Sequence, residues 1–341
     1  MNKKILLDWY QQNARDLPWR KTRNPYKIWL SEIILQQTRV RQGLPYYYKF
    51  LQNFPDIFSL AKADEEKIMN LWQGLGYYSR ARNMHFTAKD IVQNYQGIFP
   101  KTKKELIKLK GIGDYTASAI ASFAYDEPVG VVDGNVNRFF SRYFGVEIPV
   151  NSHQGKKYFT QLADKLIDKK QPGIFNQALM EFGALHCKPT KPLCKNCPFQ
   201  SKCVAFKIGN IEKFPIKNKK TPIKTRFLNY FLIRKNHQIL IEKRIQNDIW
   251  KGLYQLPLIE TNQLIKQPGI DFYKKLLDIY KISADDIIFL EEHTHRLTHQ
   301  KLIIRFWKIN IKSENAKFTD IKQLKNKGFP IIISKFLDNN I

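Results

Sequence analysis

Four cysteines crowd into one short stretch, Cys187, Cys194, Cys197 and Cys203, spaced C-x6-C-x2-C-x5-C, and the chain has no others. Four thiolates on one loop-rich stretch can clamp a single metal centre, with no thiol left over. The spacing differs from the ferredoxin runs and from the paired C-x2-C units of zinc ribbons. Two disulfides are the alternative, and they need an oxidising compartment. The opening run Ile5-Leu6-Leu7 is interrupted by Asp8, which makes it too short for the apolar core of a signal peptide. No later run approaches the roughly 18 apolar residues of a membrane span. A cytoplasmic protein with reduced, metal-ligating thiols is therefore expected, with no membrane partner.

At 341 residues the chain has room for two domains, each with its own core. Its net charge is +27, from 57 Lys and Arg against 30 Asp and Glu. Such an excess favours a polyanionic partner, most simply nucleic acid. The richness in Lys, Ile and Asn also matches the drift of AT-rich genomes, so charge alone does not decide the matter.

Residues 1–214 read mostly as helices. Ile28-Trp29-Leu30 and Ile33-Ile34-Leu35 have helical apolar spacing, as do Leu106, Leu109 and the alanine-rich run from Thr116 to Ala124. Glycine pairs at 74–76 and 111–113, and Asp133-Gly134-Asn135, punctuate those helices as tight turns. Residues 215–225 lie in a lysine- and proline-rich stretch that reads as an exposed, basic linker. Residues 226–341 change to a strand pattern. Phe227–Ile233, Gln238–Ile241 and Lys301–Trp307 are rich in β-branched and aromatic residues, with helices around Phe272–Tyr280 and near the C-terminus. This second unit is α+β.

In Leu109-Lys110-Gly111-Ile112-Gly113-Asp114-Tyr115, a G-x-G turn opens a helix. Glycines there can aim several N–H groups at a phosphate, at a helix end that favours negative charge. Alone, the turn is equally an ordinary helix connection. Further on, Val131-Val132-Asp133-Gly134-Asn135 sets a carboxylate where it can cap the next helix while facing a cleft.

The ordered set of hairpin, V-D-G-N turn and four-cysteine loop resembles the helix-hairpin-helix DNA glycosylase superfamily with an iron–sulfur loop, the group of endonuclease III and the MutY-type adenine glycosylases. The resemblance implies a helical glycosylase fold, a six-helix barrel plus an iron–sulfur helical domain, over residues 1–214. It also implies a [4Fe-4S] cluster on the four cysteines, with zinc as the competing metal, and a catalytic role for Asp133. The bifunctional members carry a Schiff-base lysine two residues beyond the second hairpin glycine. Tyr115 stands there, and a phenol cannot form an imine.

Trp29-Leu30-Ser31-Glu32-Ile33-Ile34-Leu35-Gln36-Gln37-Thr38 places a lone carboxylate among apolar residues, where its ionised form is disfavoured. A solvent-facing Glu on an amphipathic helix is the plainer reading. By resemblance, the segment holds the catalytic glutamate of MutY-type enzymes. Adenine becomes a good leaving group once N7 is protonated, so Glu32 would be the acid and Asp133 the stabiliser of the cationic sugar. Tyr115 and Asn135 would position them. The resemblance further assigns Arg15, Leu17, Trp19, Arg20 and Gln177 to the adenine pocket, with Gln177 an amide where many relatives have Glu. Gln37, Tyr77, Lys110, Gly111 and Gly113 would contact DNA.

Residues 226–341 resemble the Nudix-like C-terminal domain of the same enzymes, which recognises 8-oxoguanine. Trp250-Lys251-Gly252-Leu253-Tyr254-Gln255-Leu256-Pro257 fits its W-x-G-L-[WY]-x-x-P signature, but no acidic Mg²⁺-holding helix string follows, so a reader rather than a hydrolase is implied. Leu297-Thr298-His299 would be the reading tip, with Leu in place of the relatives' aromatic residue.

The expected protein is a monomeric, monofunctional adenine glycosylase. Its substrate would be double-stranded DNA with adenine opposite 8-oxoguanine or guanine. A bifunctional pyrimidine glycosylase and lyase is the second reading, opposed by Tyr115 and by the C-terminal extension. A non-catalytic iron–sulfur DNA-binding protein is the third, opposed by the joint presence of Glu32 and Asp133.

Overall fold

A computed structural model describes residues 1–218 and 222–341; residues 219–221 of the expected linker lie outside them. The chain packs as two compact units, Met1–Lys62 with Asn83–Lys219, and Ala63–Arg82 with Lys220–Ile341. The expected cut, with all of residues 1–214 in one region, is therefore interrupted by residues 63–82. Hydrogen bonds account for their placement: Asn70 donates to the Lys325 carbonyl at 2.6 Å, Gln73 to the Ser334 hydroxyl at 2.6 Å, and Tyr78 to the Phe329 carbonyl at 3.2 Å.

The first unit is helical. Its helix Pro25–Leu35 is capped by Asn24, whose side chain accepts from the Lys27 N–H, and Pro25 supplies a first turn that needs no donor. Ile28, Trp29, Leu30, Ile33 and Ile34 are buried on every face of it, which makes this an interior helix rather than an amphipathic one. It packs against Asp114–Tyr125, the helix opened by the glycine hairpin. Gly111 has φ +79°, a left-handed backbone that favours glycine, and its Cα faces Asn83.

Helix Pro172–Leu185 is the hub of this unit, contacting Lys3–Asn13, Asp114–Tyr125 and Gly134–Phe144. Phe139, Phe140, Phe159, Phe175, Leu179 and Phe182 form the core around it. Gly183 lets it approach the first turn of Gly134–Phe144 so closely that an added Cβ would sit 2.6 Å from the Asn135 carbonyl oxygen.

In the second unit, strand Lys224–Lys235 pairs parallel with Gln300–Glu314 and antiparallel with Leu258–Thr261 and Gln238–Ile239. Strand Gln300–Glu314 also forms a hairpin with Ile282–Arg296. Residues Leu228 to Ile233 are buried without a break, as a strand covered on both faces should be. Alternation sends Leu228, Tyr230 and Leu232 to one face, under helix Ile331–Asn340 with Phe336 and Leu337. Phe231 and Ile233 go to the other, under helix Ile270–Tyr280 with Phe272 and Leu276. The expected strands Phe227–Ile233 and Lys301–Trp307 and the helices at Phe272–Tyr280 and near the C-terminus form, whereas the strand expected over Gln238–Ile241 is confined to Gln238–Ile239 and Leu109 lies past the end of helix Lys103–Leu106. No helix among the described residues is long and apolar enough to cross a membrane.

Gly183→Ala is expected to lower stability by about 1–3 kcal/mol in urea unfolding, because helix or turn backbone must move. Gly134→Ala, whose Cβ meets nothing within 4 Å, should be neutral or slightly stabilising.

Candidate active site

Helices Pro25–Leu35, Asp114–Tyr125, Gly134–Phe144 and Pro172–Leu185 converge on a cavity of about 190 Å³. It gathers Glu32, Tyr115, Asp133 and Asn135 with Arg15, Leu17, Trp19, Arg20 and Gln177. Every residue that the sequence suggested for catalysis or for the adenine pocket lines this one space.

Glu32 is 7% exposed, on the interior helix. Burial drives its carboxyl from the ordinary 4.5 up to about 7; the Tyr115 hydroxyl, hydrogen-bonded to it, and Arg20 pull the other way, and Asp133 adds to the rise. The solvent-facing alternative for Glu32 is thereby excluded. Asp133 does cap its helix: Oδ1 accepts from the N–H groups of Asn135 and Val136, both at 2.8 Å, while Oδ2 accepts from the Asn135 side chain at 2.7 Å. Capping and facing the cavity are therefore one arrangement. Burial pushes its carboxyl up, opposed by those donors and by Arg138. Tyr115 is held well above its ordinary range by burial and by the two carboxylates, so it stays a neutral donor.

One residue escaped the sequence reading. Glu181 is fully buried at the cavity wall and accepts from the Arg15 N–H and guanidinium at 2.9, 2.8 and 2.6 Å and from Arg20 at 2.7 Å. Burial opposes its ionisation, yet the two arginines prevail and hold its carboxyl at about 2. Its one sequence signal was a position four residues after Gln177, on the same helix face. Gln177 itself accepts from the Tyr10 hydroxyl at 3.0 Å.

Arg138 joins this site to the cysteine loop. It donates to Asn135 Oδ1 at 2.9 Å, to the Gly183 carbonyl at 2.6 Å and to the Cys187 carbonyl at 2.8 Å. One turn on, Arg142 donates to the carbonyls of Lys188 and Pro189 at 2.7 and 3.1 Å and lies 3.5 Å from Cys187 Sγ. The four cysteines share a pocket with Phe139, Phe182 and Phe199. Burial first, then the neighbouring thiols, push Cys197 up to about 11 and raise Cys194 and Cys203. Thiols so placed become anions only with positive charge among them, and this soft donor set fits a sulfur-binding metal centre. Among the described residues, no three His, Cys, Asp or Glu side chains gather so as to hold a single metal ion.

The remaining suggested residues lie outside this cavity. Gln37 is exposed in a left-handed backbone at φ 59°. Lys110 and Gly113 are exposed on the hairpin with Gly111, the Lys110 ammonium lying 4.3 Å over the Phe86 ring. In the second unit, Tyr77 (φ 47°), Leu297, Thr298 and His299 line a cavity of about 500 Å³, with Trp250 at φ 60°. Tyr77 donates to the Thr298 hydroxyl at 3.0 Å. Arg244 and Arg226, both 2.7 Å from Asp248, brace the loop that carries Trp250.

Residues 30–169 match the family described as HhH-GPD superfamily base excision DNA repair protein, and residues 229–339 match the NUDIX domain. The chain is 36% identical to the adenine DNA glycosylase of Buchnera aphidicola subsp. Schizaphis graminum, covering 98% of this chain and 97% of that protein. It is 43% identical over 209 residues to the human adenine DNA glycosylase, covering 59% of this chain and 38% of that one. A solved thermostable thymine-DNA glycosylase superposes with TM-score 0.57 at 29% identity, covering 60% of this chain and 95% of the other.

Because folding raises the Glu32 pKa, the folded state holds that proton more tightly than the unfolded chain. The stability this contributes is full below about 4.5 and disappears as pH rises to about 7. Glu32→Gln removes the titration. Compared by urea unfolding at pH 5 and pH 8, the variant should gain roughly 2–3 kcal/mol over the parent between the two conditions. Equal pH dependence in both proteins would contradict the burial argument.

Proposed function

The chain belongs to the adenine DNA glycosylase family of base excision repair and hydrolyses the N-glycosyl bond of adenine in DNA, and we propose that it is a monofunctional enzyme, acting on adenine opposite 8-oxoguanine or guanine. The observation that carries this reading is the pairing in one cavity of a carboxyl favoured in its acid form, Glu32, with a hydrogen-bonded carboxylate, Asp133.

The target nucleotide must leave the duplex, since its glycosidic bond is inaccessible in the stack. The cavity's apolar walls, Leu17 and Trp19, and the amide of Gln177 suit one planar base. Glu32 gives its proton to adenine N7, the C1′–N9 bond breaks, and the bond's electron pair leaves with the base. Asp133 stabilises the positive charge left on the sugar, in an environment whose donors are already oriented. Water adds at C1′ and Glu32 takes its proton back. Tyr115 and Asn135 hold the two carboxyl groups in place. Tyr115 offers no amine, so the sugar is not captured as an imine and the strand stays intact.

Cys187, Cys194, Cys197 and Cys203 would hold a [4Fe-4S] cluster. A cluster takes one thiolate per iron, which suits four thiols that share a pocket without closing on a single ion. When bound, it would supply a structural staple for a lysine-rich loop (Lys188, Lys191, Lys195, Lys202) rather than a reactant. The hairpin at Lys110, Gly111 and Gly113 supplies N–H groups to phosphate, and Gln37 and Tyr77 each contact the DNA. In the second unit, Thr298 and His299 at the hairpin tip read 8-oxoguanine, with Tyr77 bonded to Thr298. The protein acts as a monomer in the cytoplasm.

Excess protein incubated with duplexes carrying adenine opposite 8-oxoguanine should release adenine, with strand cleavage appearing only after alkali. Cleavage without alkali, trapped by borohydride, would establish a lyase instead. Glu32→Gln and Asp133→Asn should each lose excision by about 10³-fold or more while DNA affinity stays near that of the parent. Retained excision in either moves the catalytic assignment elsewhere.

Thr298→Ala is expected to reduce the rate preference for adenine opposite 8-oxoguanine over adenine opposite guanine. The comparison is made under single turnover, with the guanine substrate little affected. An unchanged preference would remove the hairpin tip from recognition.

A further inference from the structure

Glu181 is a fully buried carboxylate in the wall of the catalytic cavity, and no step of the reaction uses it. Its oxygens take four hydrogen bonds from Arg15 and Arg20, the two basic side chains of that wall. Arg20 also donates to the Arg15 carbonyl at 3.2 Å, so the three residues form one braced unit. A bridge of this kind contributes little to stability on average, because desolvation cancels most of the attraction. Its value here is that it fixes both the place and the charge of the arginines.

The charge matters because Arg20 acts on Glu32. The ionisable groups that face Glu32 are Tyr115 from the hairpin helix, Asp133 from the V-D-G-N turn and Arg20 from the Pro18–Arg20 turn. Glu181, on helix Pro172–Leu185, faces it across the cavity together with Arg15. With Glu32 protonated and Tyr115 neutral, Glu181 is the anion hydrogen-bonded to both arginines, and it cancels one of their charges. Without Glu181, one positive charge is left unopposed in a desolvated space, and it favours the ionised form of Glu32.

We propose that Glu181 is a positioning residue for base excision: it fixes Arg15 and Arg20 on the pocket wall and cancels enough of their charge for Glu32 to keep its proton. This rests on the reading of Glu32 as the acid. Glu181 touches neither the sugar nor the leaving base in this scheme.

The test is the pH dependence of single-turnover adenine excision from a duplex with adenine opposite 8-oxoguanine, for the parent, Glu181→Gln and Glu181→Asp. In the parent the rate falls as pH rises through the Glu32 titration. Glu181→Gln should move that falling limb to lower pH by roughly one unit, so at alkaline pH it is slowed about tenfold more than at acid pH. Glu181→Asp, which keeps the charge, should return the limb to its parent position even if the rate drops. A Gln variant slowed equally at every pH, with the limb unmoved, would overturn the proposal and leave Glu181 a structural brace.

If Glu181→Gln does not fold, Arg20→Gln carries the test from the other side. Removing that cation should raise the limb, and an unmoved limb again overturns the idea. Glu32→Gln separates the two claims. If it retains excision, the acid assignment is wrong; if it is inactive while the limb of Glu181→Gln stays fixed, only the role of Glu181 is wrong.

Discussion

The arrangement depends on one costly placement: a carboxyl group carried into the molecule on a helix that is apolar on every face. Glu32 cannot turn to solvent, because Trp29, Leu30, Ile33 and Ile34 bury the helix all round. A lone ion there would cost several kcal/mol, so the group holds a proton near neutral pH. What the fold gives up in stability leaves a carboxyl group able to donate a proton near neutral pH. The other charges of the cavity are arranged around that neutral group.

Asp133 shows a different treatment of the same functional group. It is also buried, but at a helix N-terminus where two backbone N–H groups and an amide already point at it. Those donors and the helix dipole favour the anion. Burial raises both carboxyl groups, and it is opposed by different partners: the Tyr115 hydroxyl and Arg20 at Glu32, backbone and amide donors and Arg138 at Asp133. Arg138 carries the arrangement outward, since it holds both Asn135 and the carbonyl of Cys187. The cysteine loop is therefore a buttress of the Asp133–Asn135 turn.

The second unit places its candidate recognition residues by different means. Its sheet is a core element, filled on both faces, and the hairpin Ile282–Arg296 and Gln300–Glu314 extends to a polar tip. Residues 63–82 pack into this unit through hydrogen bonds to backbone and side chains between 325 and 334. That packing sets Tyr77 against Thr298. Two braced arginines fix the loop of Trp250 opposite.

Much of this was legible in the sequence. The cysteine spacing, the V-D-G-N turn and the carboxylate at position 32 are local patterns, and the strand and helix periodicities of residues 226–341 follow from alternation along the chain. Their chemistry is carried by a few consecutive residues, so it survives without coordinates. Glu181 was not legible, because its partners Arg15 and Arg20 lie more than 160 positions away and a glutamate on a helix is usually solvated. Nor was the attachment of residues 63–82 to the second unit, since no local pattern encodes which surface a short helix will cover. The sequence by itself determined the reactive groups and the helices and strands that carry them. Tertiary structure alone decided which of those groups share a desolvated cavity, and hence which carboxyl keeps its proton and which loses it, because burial and charge balance are properties of the packed assembly.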